Sequence, residues 1–98
     1  MLTRFQQLDS FDELREYINA TLCDHNHLQP DAFPMTEKLL YRGKRPCGVY
    51  FCLHGPRAVK FTAIWEIDRN QILFYDANGE RFQKTQLAAA LTLEPVLA

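Results

Sequence analysis

The ten residues from Ala58 to Ile67 leave little choice about what they become. Val59, Phe61, Ala63, Trp65 and Ile67 take every second position, with Lys60, Thr62, Ile64 and Glu66 between them. Successive side chains of a strand point to opposite faces, so this alternation predicts a strand with one apolar side and one mixed side. Gly48 to His54 repeats the pattern, setting Val49, Phe51 and Leu53 against Tyr50, Cys52 and His54. Gly55-Pro56-Arg57 reads as the turn between the two strands.

Two more strands follow. Asp68-Arg69-Asn70 turns the chain into Gln71–Asp76, where Ile72-Leu73-Phe74-Tyr75 is apolar on both sides. A strand buried on both faces reads this way. Asn78-Gly79 has the chemistry of a hairpin turn, and Glu80–Thr85 is the fourth strand. The short connections predict an antiparallel meander.

Upstream, Ser10-Phe11-Asp12-Glu13 matches a capping box, and a helix is expected from about Phe11 to Asn26. Phe11, Leu14, Tyr17, Ile18, Thr21, Leu22 and His25 follow one helical stripe, which should pack on the Val49/Phe51/Leu53 and Val59/Phe61/Ala63/Trp65 face. Residues 36–42 suit either a short helix or an edge strand; the turn Lys44-Arg45-Pro46 that follows favours the extended reading. The Ala/Leu-rich run from Gln86 to Thr92 is expected to form a short C-terminal helix, limited by Pro95. The expected fold class is therefore α+β: an N-terminal helix on a four- or five-stranded antiparallel meander, closed by a short C-terminal helix.

At 98 residues, with 47% hydrophobic and 23% charged side chains, the chain fits one globular domain spanning 1–98. No apolar run approaches the length of a membrane span, and Asp9 and Asp12 stand where a secretory signal would be apolar. The expectation is a cytoplasmic protein without a membrane partner. Cys23, Cys47 and Cys52, odd in number, fit reduced thiols better than a disulfide framework.

The net charge of −1 conceals a segregation. Residues 1–37 carry two cations and seven carboxylates. Residues 38–65 carry Lys38, Arg42, Lys44, Arg45, Arg57 and Lys60 and no carboxylate. Residues 66–98 carry three cations and five carboxylates. Either the acidic helix folds over the basic segment and neutralises it, or the basic segment forms an anion-binding face.

Several chemistries lack their residues. Ser10, the only serine, is accounted for as a cap. The four glycines make neither a dinucleotide loop nor a phosphate loop. Cys23/His25/His27 and Cys47/Cys52/His54 contain no C-x₂-C pair of the kind zinc sites use. Cys52 and His54 share a strand face but stand roughly 6.5–7 Å apart, too far for a nucleophile–base hydrogen bond. Asp76 to Glu80 is better read as a hairpin than as a calcium loop. Glu66 and Asp68 are solvated strand-end acids. No catalytic residue, metal ligand or cofactor is assigned.

The leading expectation is a non-catalytic binding or assembly module. It would associate with itself as a homodimer, through the second sheet face or the C-terminal segment, or with another protein. The alternative is nucleic-acid or phosphate-ligand binding through Arg42, Lys44, Arg45, Arg57 and Lys60, with Tyr50 and His54 on the face between them. A second alternative places a metal or thiol site around Cys52 and His54.

Overall fold

Ser10 opens the helix as its position requires. Its Oγ accepts the Glu13 backbone N–H at 3.1 Å, and the Glu13 carboxylate accepts the Asp9 backbone N–H at 2.8 Å. The computed structural model describes residues 1–91. The chain runs β1 (Leu2–Gln6), α1 (Phe11–His25), β2 (Met35–Arg42), β3 (Arg45–His54), a 3₁₀ turn (Pro56–Ala58), β4 (Lys60–Glu66), β5 (Gln71–Tyr75) and β6 (Arg81–Leu87). The fold is α+β, and all six strands join one sheet in the order β1-β6-β5-β4-β3-β2. β2 to β6 form the antiparallel meander, and β1 adds to β6 in parallel.

The helix packs on the face the alternation predicts. Phe11 meets Phe51 and Trp65 at ring-centroid distances of 6.1 and 6.0 Å. Leu14, Ile18, Leu22, Val49, Phe51, Leu53, Ala63, Ile72 and Phe74 are fully buried in the same cluster. Each of the larger side chains contributes about 1.5–3 kcal/mol when removed from water. Leu73, on the other face of β5, is also buried, so the two-sided reading of that strand holds. The β5–β6 ladder slips between Phe74 and Tyr75, leaving Phe82 without a cross-strand partner. This bulge turns Phe82 toward the helix, where it stacks on His25 with ring centroids 3.6 Å apart.

The extended alternative for residues 36–42 is the one adopted, as β2 pairs with β3 along its length. Three other expectations need correction. The sheet has six strands, not four or five. β1 gave no sequence signal because all five of its residues are exposed; the backbone ladder to β6 holds it. Over the described part of Gln86–Thr92 there is no helix. There the backbone groups already have partners: Leu87 N–H bonds Asn70 O at 2.9 Å, and Ala88 N–H bonds Gln6 O at 3.0 Å. Sheet pairing outweighs the helix propensity of Ala and Leu. Leu87 and Leu91 pack with the helix-side core rather than over the second face; residues 92–98 lie outside the described residues. Finally, the acidic helix does not neutralise the basic segment. Lys38 and Lys60 stand on the other face of the sheet, and the helix's Arg15 binds Glu37 at 2.6 Å and Asp12 at 2.8 Å, both from the acidic segment.

Asn70 ties the β4–β5 turn to the chain after β6. It sits at φ 49°, a left-handed conformation that asparagine tolerates. Its Oδ1 accepts the indole N–H of buried Trp65 at 3.2 Å, and its Nδ2 donates to Ala89 O at 2.8 Å. Asn70→Ala should cost roughly 1–3 kcal/mol, because the buried indole N–H loses its acceptor. Phe51→Ala should cost about 3–5 kcal/mol through the cavity it leaves. Urea titration followed by Trp65 fluorescence measures both, and a loss under roughly half a kilocalorie for Asn70→Ala would remove it from this role.

Candidate functional site

The helix covers one side of the sheet. No described element covers the other, and strand register fixes what this open face displays. One cross-strand row runs Lys38, Tyr50, Ile64, Leu73, Lys84 and Thr3. The next runs Thr36, Cys52, Thr62, Tyr75 and Arg81, and His54 and Lys60 pair beyond it. On the other side run Leu40, Gly48, Glu66, Gln71, Gln86 and Phe5. The middle of the face is half-buried Tyr50, Thr62, Ile64 and Tyr75. Lys38 and Lys60 are exposed, and Lys84 is half-buried.

Of the residues expected to bind anions, the structure sets Tyr50, His54 and Lys60 on this face. Arg57 stands at its upper end, in the turn joining β3 to β4. Arg42, Lys44 and Arg45 lie at the lower end, in and around the β2–β3 turn. The two basic groups are thus at opposite ends of β3, as the meander requires. Arg45 and Arg42 share Asp68 at 2.8 and 3.8 Å, so the lower group is partly neutralised. Among the described residues, Lys38, Lys60, Arg57 and Lys84 have no ion-pair partner within 4 Å. Arg81 donates to Tyr75 Oη at 3.1 Å, with its guanidinium carbon 5.5 Å from the centre of the Tyr75 ring.

Sequence reasoning missed Lys38, Tyr75, Arg81 and Lys84. The signal was available for Tyr75 and Lys84 in the alternation of β5 and β6; Arg81, of opposite parity to Lys84, reaches the same face only through the bulge at Phe82, which the sequence pattern does not announce. Lys38 required the register of β2 on β3, which sets it opposite Tyr50. The face carries one strand carboxylate, Glu66, which accepts a hydrogen bond from Gln71 Nε2. Charge segregation along the chain has become charge segregation across the sheet.

The 3₁₀ turn at the upper end is conformationally expensive. Arg57 and Ala58 are consecutive residues at φ 59° and 62°. Left-handed non-glycine residues cost on the order of 1 kcal/mol or more each. Gly55 before them has no room for a side chain, since a Cβ would stand 2.8 Å from the Phe61 ring. The turn holds Arg57 exposed at the end of the open face.

Cys52 and His54 sit in different surroundings. His54 Nε2 lies 3.0 Å from Thr36 Oγ1, and Cys52 is buried. Among the described residues, no three His, Cys, Asp or Glu side chains converge on a metal position. Asp76 folds back on its own turn, accepting the Asn78 and Glu80 backbone N–H groups at 2.9 and 3.0 Å.

Two cavities stand out among the described residues. A groove of about 610 Å³ opens between α1 and β1–β6, with Arg4, Asp24 and His25 at its walls. Its polar floor is satisfied internally: Tyr17 Oη is 2.9 Å from Thr85 Oγ1, and Gln83 Nε2 donates to both hydroxyl oxygens. A smaller pocket of about 330 Å³, lined by Leu40, Arg42, Cys47, Ile64, Glu66 and Asp68, adjoins the open face at its lower end. Gly48 makes part of its wall, and a Cβ there would meet Trp65 O at 2.6 Å.

Comparison with known proteins returns no match among family models, curated proteins or solved structures.

Burial separates the three thiols. Cys23 is fully buried on α1, and desolvation pushes its thiol above the ordinary range. The Tyr50 hydroxyl is raised in the same way, by burial and then by the nearby Cys52. Both groups are held protonated in the fold. Their contribution to stability is therefore complete below their unfolded pKa values and is lost as pH rises from there toward the folded values. Stability should be level through neutral pH with respect to these groups and fall above roughly pH 8.5–9, where an unfolded thiol ionises. Urea titrations at stepped pH measure this. Under native conditions one thiol, the half-exposed Cys47, should react with an aromatic disulfide reagent, and Cys23 and Cys52 only on unfolding. Fast native reaction at Cys52 would instead favour a thiol site there.

Proposed function

We propose that the protein binds single-stranded nucleic acid along the open face of its sheet. One observation carries this reading: the uncovered face joins Lys38, Lys60, Lys84 and Arg81 to the rings of Tyr50 and Tyr75, while the carboxylates of α1 lie across the sheet. Cations tracking a phosphate backbone beside flat rings that stack on unpaired bases are what single-strand recognition requires. Arg57 extends the cationic track at the upper end. The partly neutralised Arg42–Arg45–Asp68 group lies at the lower end, so the upper half of the face holds the stronger positive field.

The same charge counts against the other reading of this face, a homodimer closed face to face. Stacking two copies would set lysines against lysines, and like charges brought together across an interface are costly.

The test is fluorescence anisotropy of a labelled single-stranded oligonucleotide at low salt. Binding should weaken as salt rises, with a log–log slope of roughly −2 to −3 if three or four phosphates are neutralised. Lys60→Glu with Lys84→Glu should weaken binding roughly tenfold or more, whereas Arg42→Glu should do less because Asp68 already engages it. Tyr75→Ala should lower affinity without changing the salt slope. Absence of binding at low salt, or equal binding by the double charge reversal, would end the proposal.

A further inference from the structure

β1 differs from every other strand in that all of its side chains are exposed. Among the described residues, the exposed large hydrophobics are Met1 (73%), Leu2 (47%), Phe5 (79%) and Tyr41 (55%), and three of these four belong to β1 or adjoin it. A strand with this much exposed apolar surface is an unfinished edge.

The two edges of the sheet are not protected alike. β2 carries Glu37, Lys38 and Arg42 and a register slip between Leu40 and Tyr41, devices that discourage another strand from pairing. β1 has one charged side chain, Arg4, with no bulge and no proline.

Its free backbone groups can be named. Gln6 O accepts Ala88 N–H at 3.0 Å, so the polar groups of Gln6 face β6, as do those of Leu2 and Arg4 at the same parity. The N–H and C=O of Thr3 and Phe5 therefore point outward. Two copies related by a two-fold axis can satisfy them in an antiparallel pair. Centring the pair on Arg4 sets guanidinium against guanidinium, which is unfavourable for directly opposed residues. Centring it on Phe5 leaves Met1 and Leu2 beyond the ladder. Centring it on Thr3 sets Met1 against Phe5 of the second copy and Leu2 against its Arg4.

We propose that β1 is a self-association strand, pairing antiparallel with β1 of a second copy in the register centred on Thr3. The two-fold axis then runs perpendicular to the sheet. The two sheets become one, both helices stay on one side, and the two open faces join into one surface. The Met1–Phe5 contacts lie on that open side, and the Leu2–Arg4 contacts lie on the helix side.

Light scattering after size exclusion, at tens of micromolar and without nucleic acid, should give twice the 11.4 kDa chain mass. Thr3→Pro removes an outward N–H and no hydrogen bond within the chain; Phe5→Lys charges the contact. Both should be monomers with melting curves that retain a cooperative transition. A wild-type monomer, or a dimer that survives both substitutions, overturns the proposal. The register has its own test, in a Cys47→Ser background, which does not depend on whether Thr3→Pro and Phe5→Lys fold. Thr3→Cys should cross-link on mild oxidation and Gln6→Cys should not, since opposed residues stand about 5.5 Å apart, within disulfide reach. Equal cross-linking of the two overturns the register. Because no oligonucleotide is present, these outcomes are independent of the nucleic-acid reading.

Discussion

One helix must serve a six-stranded sheet, and most of the molecule's character follows from that. A 15-residue helix is about 22 Å long and 10 Å across, whereas six strands span roughly 24 Å from first to last. α1 can cover the central strands of one face. It buries Phe51, Trp65, Ile72 and Phe74 and leaves a groove above β1 and β6. The opposite face has no cover among the described elements. Its residues mix lysines with tyrosines and short aliphatic patches.

The polar groups inside the fold fit the same constraint. Where the helix thins out toward β6, Thr85 and Gln83 stay buried without being apolar, because Tyr17 completes a hydrogen-bonded triangle with them. Such groups are costly to bury unless paired. No buried side-chain nitrogen or oxygen among the described residues lacks a hydrogen-bond partner. The floor of the groove between α1 and β6 is therefore built from satisfied polar groups and the His25–Phe82 stack, and the centre of the fold from hydrocarbon.

What the sequence made legible was whatever depended on burial. Phe61, Ala63 and Trp65 announced β4, Ile72 to Tyr75 announced a strand buried on both sides, and Ser10 with Glu13 announced the helix start. Parity assigned Tyr50, His54 and Lys60 to the second face. β1 was illegible because its pairing uses only backbone atoms, which every residue has. Gln86 to Leu91 misled because helix propensity is local, while the Asn70 and Gln6 carbonyls that capture this segment are distant in sequence. The Asp68 bridge to Arg45 was hidden for the same reason: charge counts along a chain do not say which charges meet.

The parallel pairing of β1 with β6 has a consequence for the order in which the chain is assembled. The ladder joins residues 2–6 to residues 83–87, so nearly the whole chain intervenes between the partners. During synthesis, β1 emerges well before its partner strand. The hairpins of the meander can form from neighbours as they appear, but β1 must wait for β6, and closing so long a loop carries the largest entropic penalty of any pairing in the sheet. Until then Leu2 and Phe5 travel on an unpaired extended segment of the nascent chain. The pairing of greatest sequence separation in the sheet thus belongs to its most exposed strand.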